Sequence, residues 1–90
     1  MRRRTEESAF VLVDMPRYFF NFSGDVSRDD VGVELRDSET AFIEAVKGAR
    51  SCMADQVRRG SLPLSDEVEV SDHDGRVLFV IPFREVVASD

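Results

Sequence analysis

DSETAFIEAVKGARSCMADQVRRGSLP, residues 37–63, decides the fold. Asp37 or Ser38 can cap a helix by accepting a backbone N–H of the first turn. Glu39 then sits in that turn, where the helix dipole favours a carboxylate. Phe42, Val46, Ala49, Met53 and Val57 recur at spacings of three and four, and Ile43, Ala45 and Cys52 widen the stripe. Glu44, Lys47, Arg50, Asp55 and Arg58 fall on or near the opposite side. Arg58 and Arg59 complement the negative end of the dipole, Gly60 supplies a left-handed stop, Leu62 can fold back on the last turn, and Pro63 bars continuation. Together these predict a helix from Ser38 to Arg59, ~33 Å long at 1.5 Å per residue.

The flanking segments have the period of strands. Before the helix, Pro16 opens an aromatic run, at a position where its missing N–H is tolerated at a strand start or edge. From Arg17 to Ser23, alternation sets Tyr18, Phe20 and Phe22 on one face and Arg17, Phe19, Asn21 and Ser23 on the other. A polar loop runs from Ser23 through Asp30, and Val31–Leu35 reads as a second strand, so the two form an antiparallel hairpin with a long loop. After the helix, Glu67-Val68-Glu69-Val70-Ser71 alternates valine with carboxylate or hydroxyl. Asp74-Gly75 predicts a tight turn with positive φ at both positions. Val77-Leu78-Phe79-Val80-Ile81 returns as a strand that Pro82 ends, and residues 83–88 predict a closing helical turn. The order is strand, strand, helix, strand, strand. The fold class is α+β: a mainly antiparallel sheet of two hairpins with the long helix packed on one face.

One helix covers one face of a sheet. The last strand is apolar in both directions, with Val77, Phe79 and Ile81 on one side and Leu78 and Val80 on the other. Phe19 adds to the side opposite Tyr18, Phe20 and Phe22. These residues (Phe19, Val77, Leu78, Phe79, Val80 and Ile81) form the candidate interface, and a homodimer through the face away from the helix is the partner arrangement expected. Ninety residues make one domain with a narrow stability margin, which dimerisation commonly widens.

Charge and composition narrow the function classes. The net charge is −6, and the first fourteen residues contribute nothing to it: Arg2, Arg3 and Arg4 are matched by Glu6, Glu7 and Asp14. An acidic body without a basic groove argues against nucleic acid as partner. A single cysteine, Cys52, excludes an internal disulfide framework and suits a reducing compartment, so a cytoplasmic location is expected. The run Ala9-Phe10-Val11-Leu12-Val13 is too short for the core of a signal peptide, and no segment approaches the ~20 apolar residues of a membrane span. No membrane partner is expected. Residues 1–14 read as an N-terminal extension, with Ala9–Val13 a strand or a helical turn, and residues 15–90 as the domain.

No constellation predicts chemistry. Asp72, His73 and Asp74 are consecutive at a hairpin tip and diverge, where a metal needs three or four converging ligands. Asp25, Asp29 and Asp30 lack the spacing of a calcium loop. Cys52 lies on the apolar side of the helix and reads as a packed thiol. The glycines form no phosphate-binding loop; Gly48, unfavourable inside a helix, admits a strand or a second helix at close range. Aromatic stacking on bases is outweighed by the acidic balance. The reading is therefore not an enzyme, with no cofactor and no metal.

Several separated motifs match a known family. Met15-Pro16-Arg17-Tyr18-Phe19-Phe20, then Gly32-Val33-Glu34-Leu35-Arg36-Asp37, then Glu44-Ala45, then Asp72-His73-Asp74-Gly75-Arg76-Val77-Leu78 with Pro82-Phe83 agree in order and spacing. The chain from Met15 to about Val87 resembles a family of short bacterial proteins classed as a domain of unknown function. Its members characteristically begin MPRYFF and carry G-x-E-L-x-D and D-x-x-G-x-x-L-x-x-x-P-F. The resemblance implies the fold and no activity, and it sets the structural start at Met15. A weaker likeness, strands followed by a helix beginning with Glu and Ala, is to HicB-like antitoxin domains; it implies an acidic regulator of a small basic protein. The Asp-Leu-Pro-Gly motif of that family is absent. The leading reading is a small, self-associating protein-interaction domain.

Overall fold

The computed structural model describes residues 15–25 and 27–88; the expectations for residues 1–14 lie outside them. The elements are β1 (Arg17–Phe22), β2 (Val33–Glu34), α1 (Ser38–Arg58), β3 (Glu67–Asp72), β4 (Val77–Pro82) and α2 (Phe83–Ala88). The four strands form one antiparallel sheet in the order β2-β1-β3-β4, with α1 inserted in sequence between two hairpins. This is the expected α+β arrangement.

Helix α1 starts and stops through local chemistry. Asp37 is the N-cap in extended backbone; its Oδ1 accepts the Thr40 N–H at 2.8 Å and the Thr40 hydroxyl at 2.6 Å. At the other end Gly60 adopts φ 89°, its N–H donates to the Val57 carbonyl, and the Ser61 N–H reaches back to Gln56. That pair of bonds is the Schellman arrangement, and it satisfies carbonyls the helix leaves open.

The buried line of α1 is one side of the expected stripe. Ala45, Ala49 and Met53 of that stripe are buried, joined by Ala41, whereas Phe42, Ile43 and Val57 are exposed. Three alanines at a spacing of four let the helix lie close to the sheet, and the bulkier residues move to its flanks. Gly48 continues that close approach, since a Cβ there would stand 3.1 Å from Cζ of Phe22 on β1.

The core forms between this helix face and one face of the sheet. Tyr18, Val68, Val70, Ile81, Phe83 and Val86 are buried with the alanines, and Phe20, Phe22, Leu35, Leu78 and Phe79 pack around them. Register explains the grouping: Phe20, Val70 and Phe79 stand opposite one another, as do Phe22, Val68 and Ile81. Phe22 meets Phe83 edge to face at 6.2 Å.

Three local expectations are corrected. The second strand spans only Val33–Glu34, because the chain before it bonds to β1 through a side chain (described below) instead of a ladder. The β3–β4 turn has one positive φ, at Gly75, and none at Asp74. Gly75 N–H donates to the Asp72 carbonyl, making a three-residue loop closed by a left-handed glycine. Finally, β4 carries a register shift opposite Val70 and Ser71, so Leu78 is an extra residue that packs against the core while Val77 stands opposite Ser71. The simple alternation predicted for Val77 and Leu78 fails for that reason.

Candidate functional site

The polar residues of the motifs are occupied in holding the fold. Asp29 organises the loop after β1. Its Oδ2 accepts the Phe20 N–H at 3.0 Å, its Oδ1 accepts the N–H groups of Val31 and Gly32 at 3.1 Å each, and its own N–H donates to Asn21 Oδ1 at 2.7 Å. Burial pushes the Asp29 carboxyl up, but the three backbone donors outweigh it and hold the group below the ordinary carboxylate value. Sequence reasoning passed over Asp29 as a solvated loop residue. The signal available was a carboxylate three residues before a glycine in a loop.

Gly32 is held at φ 75°, and a Cβ there would come within 2.7 Å of Arg17 Cγ and 2.9 Å of Phe19 Cε2. Arg17 bridges to the Val31 carbonyl at 2.8 Å and to Glu34 at 2.9 Å. Asp37 caps α1, and its carboxyl is held low by the Thr40 hydroxyl and then by the Thr40 N–H. Asp72 accepts the N–H groups of Asp74 and Arg76 at 2.9 Å each, and the Arg76 bond is the main cause of its lowered value. Tyr18 is buried between these last two carboxylates in electrostatic terms. Burial first, then Asp37 and Asp72, raise its phenol.

The residues considered for chemistry do not converge. His73 and Asp74 form an exposed contact of 3.4 Å at the hairpin tip. Among the described residues no group of three or more metal-ligating side chains exists. Cys52 is half-buried, and burial followed by Asp25, Asp66 and Asp55 raises its thiol, which disfavours the thiolate. A hollow of about 300 Å³ on the helix-distal face is bordered by Asn21, Ser23, Asp25, Arg28, Glu67 and Glu69. Arg28 reaches Glu69 there at 3.7 Å. No helix among the described residues is long and apolar enough to cross a membrane.

The family follows from the whole span and not from any one site. A model of the family described as Domain of unknown function (DUF6894) matches residues 17–84, from the first residue of β1 into α2. The chain belongs to the DUF6894 family. No curated protein and no solved structure matches it.

In this DUF6894 domain the six candidate interface residues are divided by the fold. Ile81 is 6% exposed on the helix side, Phe79 lies edge to face on Phe42 of α1 with ring centroids 5.2 Å apart, and Leu78 packs on the core. Phe19 is half-buried beside Gly32. Val77 and Val80 are 48% and 50% exposed. The helix-distal face is thus polar around Glu67, Glu69, Asn21 and Arg28, with Phe19 toward β2 and exposed Val77 and Val80 toward β4.

What the fold leaves open is the margin of β4. The strand VLFVIP holds no charged residue and, among the described residues, pairs on one side only, with β3. Beside it runs a groove of about 530 Å³ between β4, α1 and α2, bordered by Phe42, Val46, Leu78, Val80, Glu85 and Val86. Phe42 is 40% exposed on its far wall. The opposite margin, β2, is two residues long and carries the Arg17–Glu34 ion pair, a device that discourages further strand pairing.

Proposed function

We propose that this DUF6894 domain is a non-enzymatic protein-interaction module that associates with itself. The observation that supports it is an exposed apolar strip at one margin: Val77 and Val80 on β4 and Phe42 on α1, flanking an uncharged strand that pairs on one side only among the described residues. A domain of this size gains from covering such a strip, at about 25 cal/mol per Å² of apolar area removed from water. Asp29, Asp37 and Asp72 act as loop anchors and a helix cap, bonded to the chain's own backbone.

Light scattering on the full chain at high micromolar concentration tests the reading. The expected mass is that of two chains. A strict monomer under those conditions contradicts self-association.

A further inference from the structure

The direction of the free groups on β4 follows from the bonds on its other side. The Phe83 N–H donates to the Asp66 carbonyl at 2.9 Å, and the same register pairs Ile81 with Val68 and Phe79 with Val70. Successive residues of an antiparallel strand turn their N–H and C=O to alternate sides. Phe83, Ile81 and Phe79 therefore address β3, and Val80 and Pro82 address the side where no described strand lies. Proline stands at a position whose N–H the sheet does not use, which is where an edge strand tolerates it.

We propose that a second copy of this chain occupies that edge, β4 pairing antiparallel with β4 of the copy about a twofold axis at Val80. Two four-stranded sheets then join into one of eight strands. The inference rests on the self-association reading and specifies its geometry.

Two observations select this occupant. First, the pairing is self-complementary. Val80 opposite Val80 of the copy exchanges two N–H···O=C bonds, and its half-exposed side chain meets an identical β-branched neighbour on the helix-distal face. On the helix face Phe79 comes opposite Ile81 of the copy, beside the exposed ring of Phe42.

Second, charge favours this edge and this direction. Two copies of a chain with net charge −6 repel, yet β4 holds no charge. Arg76 immediately precedes the strand, and Arg84 and Glu85 follow it. Antiparallel pairing brings Arg76 of each copy to the Arg84–Glu85 end of the other, where those two charges offset each other. Parallel pairing sets Arg76 against Arg76.

The test is sedimentation velocity of the full chain with two Val80 variants, folding being checked by circular dichroism. Val80→Pro removes the N–H that points off the sheet and leaves the ladder to β3 intact; Val80→Thr keeps both that N–H and the branched shape. The expected result is a dimer for the wild type and for Val80→Thr and a folded monomer for Val80→Pro. Where Val80→Pro does not fold, a charge at the twofold replaces it. Val80→Lys and Val80→Glu, each setting like charges directly opposite one another, are then expected to weaken the dimer by roughly tenfold, and an equimolar mixture of the two to restore it. A wild type that stays monomeric overturns this inference together with the self-association reading. A dimer that Val80→Pro leaves intact, or that mixing the two charge variants does not restore, overturns the edge geometry alone and leaves self-association through another surface.

Discussion

Replacing Asp29 by asparagine separates two jobs that one carboxylate does at once. In the wild type, Oδ1 accepts from Val31 and Gly32 and Oδ2 accepts from Phe20. Asparagine has one acceptor oxygen and one donor nitrogen. With its oxygen toward Val31 and Gly32, its NH₂ faces the Phe20 N–H, donor against donor; flipped, it loses the other two bonds. The Phe20 N–H is part-buried on the β2 side of β1, where β2 is too short to supply a partner. Leaving such a donor unsatisfied costs about 1–3 kcal/mol. We therefore expect Asp29→Asn to destabilise the domain by about 2 kcal/mol, a fall in Tm of roughly 8–16 °C for a chain of this size. Urea unfolding at neutral pH measures the free energy, and amide exchange locates it: the Phe20 N–H loses protection while Val70 keeps it. A variant within about 0.5 kcal/mol of the wild type, or one in which Phe20 exchange is unchanged, refutes the assigned role of Asp29.

The glycines give a paired comparison. Gly32→Ala combines a left-handed φ with a Cβ pressed on Arg17, Phe19 and the Tyr18 carbonyl, and is expected to cost about 2–4 kcal/mol. Gly60→Ala, with a similar φ and nothing within 4 Å, is expected to cost only about 1–2 kcal/mol by the same denaturation assay. Acid unfolding has a defined sign. Asp29, Asp37 and Asp72 all have folded values below the ordinary one, so their stabilisation is complete above the unfolded value of about 3.9 and is lost as pH falls through the folded values. Thermal scans are expected to show Tm level near neutrality and falling below about pH 4; a Tm that rises on acidification contradicts the assignment. Cys52 is expected to react with iodoacetamide at mildly alkaline pH more slowly than free cysteine, because its thiolate is disfavoured; mass spectrometry reads the rate.

The parts of the fold legible in the sequence are those whose determinants are local. Asp37, Glu39, Gly60 and Pro63 announce the ends of α1 by capping chemistry that needs no distant partner, and the observed helix Ser38–Arg58 follows. The alternation of Val68 and Val70 with Glu67 and Glu69 fixes β3 in the same way. Where distant contacts decide, the pattern misleads. Phe42 and Val57 look like core on a helical wheel along with Ala45, Ala49 and Met53, but they are exposed, and Ala41 completes the buried line because small residues allow the closest approach to the sheet. Val31 looks like a strand residue, yet Asp29 captures its N–H and ends the ladder early. The candidate interface shows both cases. An excess of apolar residues on β4 was readable, but their division was not, because the shift at Leu78 and the reach of Phe42 across to Phe79 depend on the assembled sheet and helix. The surface at issue thereby moves from the helix-distal face to the margin of β4.

The measurement that bears most directly on that surface is amide exchange at Val80 in the full chain, followed as a function of protein concentration. Its N–H points away from β3, toward the side where no described strand lies. Pairing with a second β4 predicts protection that is high at high micromolar concentration and disappears on dilution, while Phe79 and Ile81 stay protected throughout. Rapid exchange of Val80 at every concentration contradicts the edge-paired dimer.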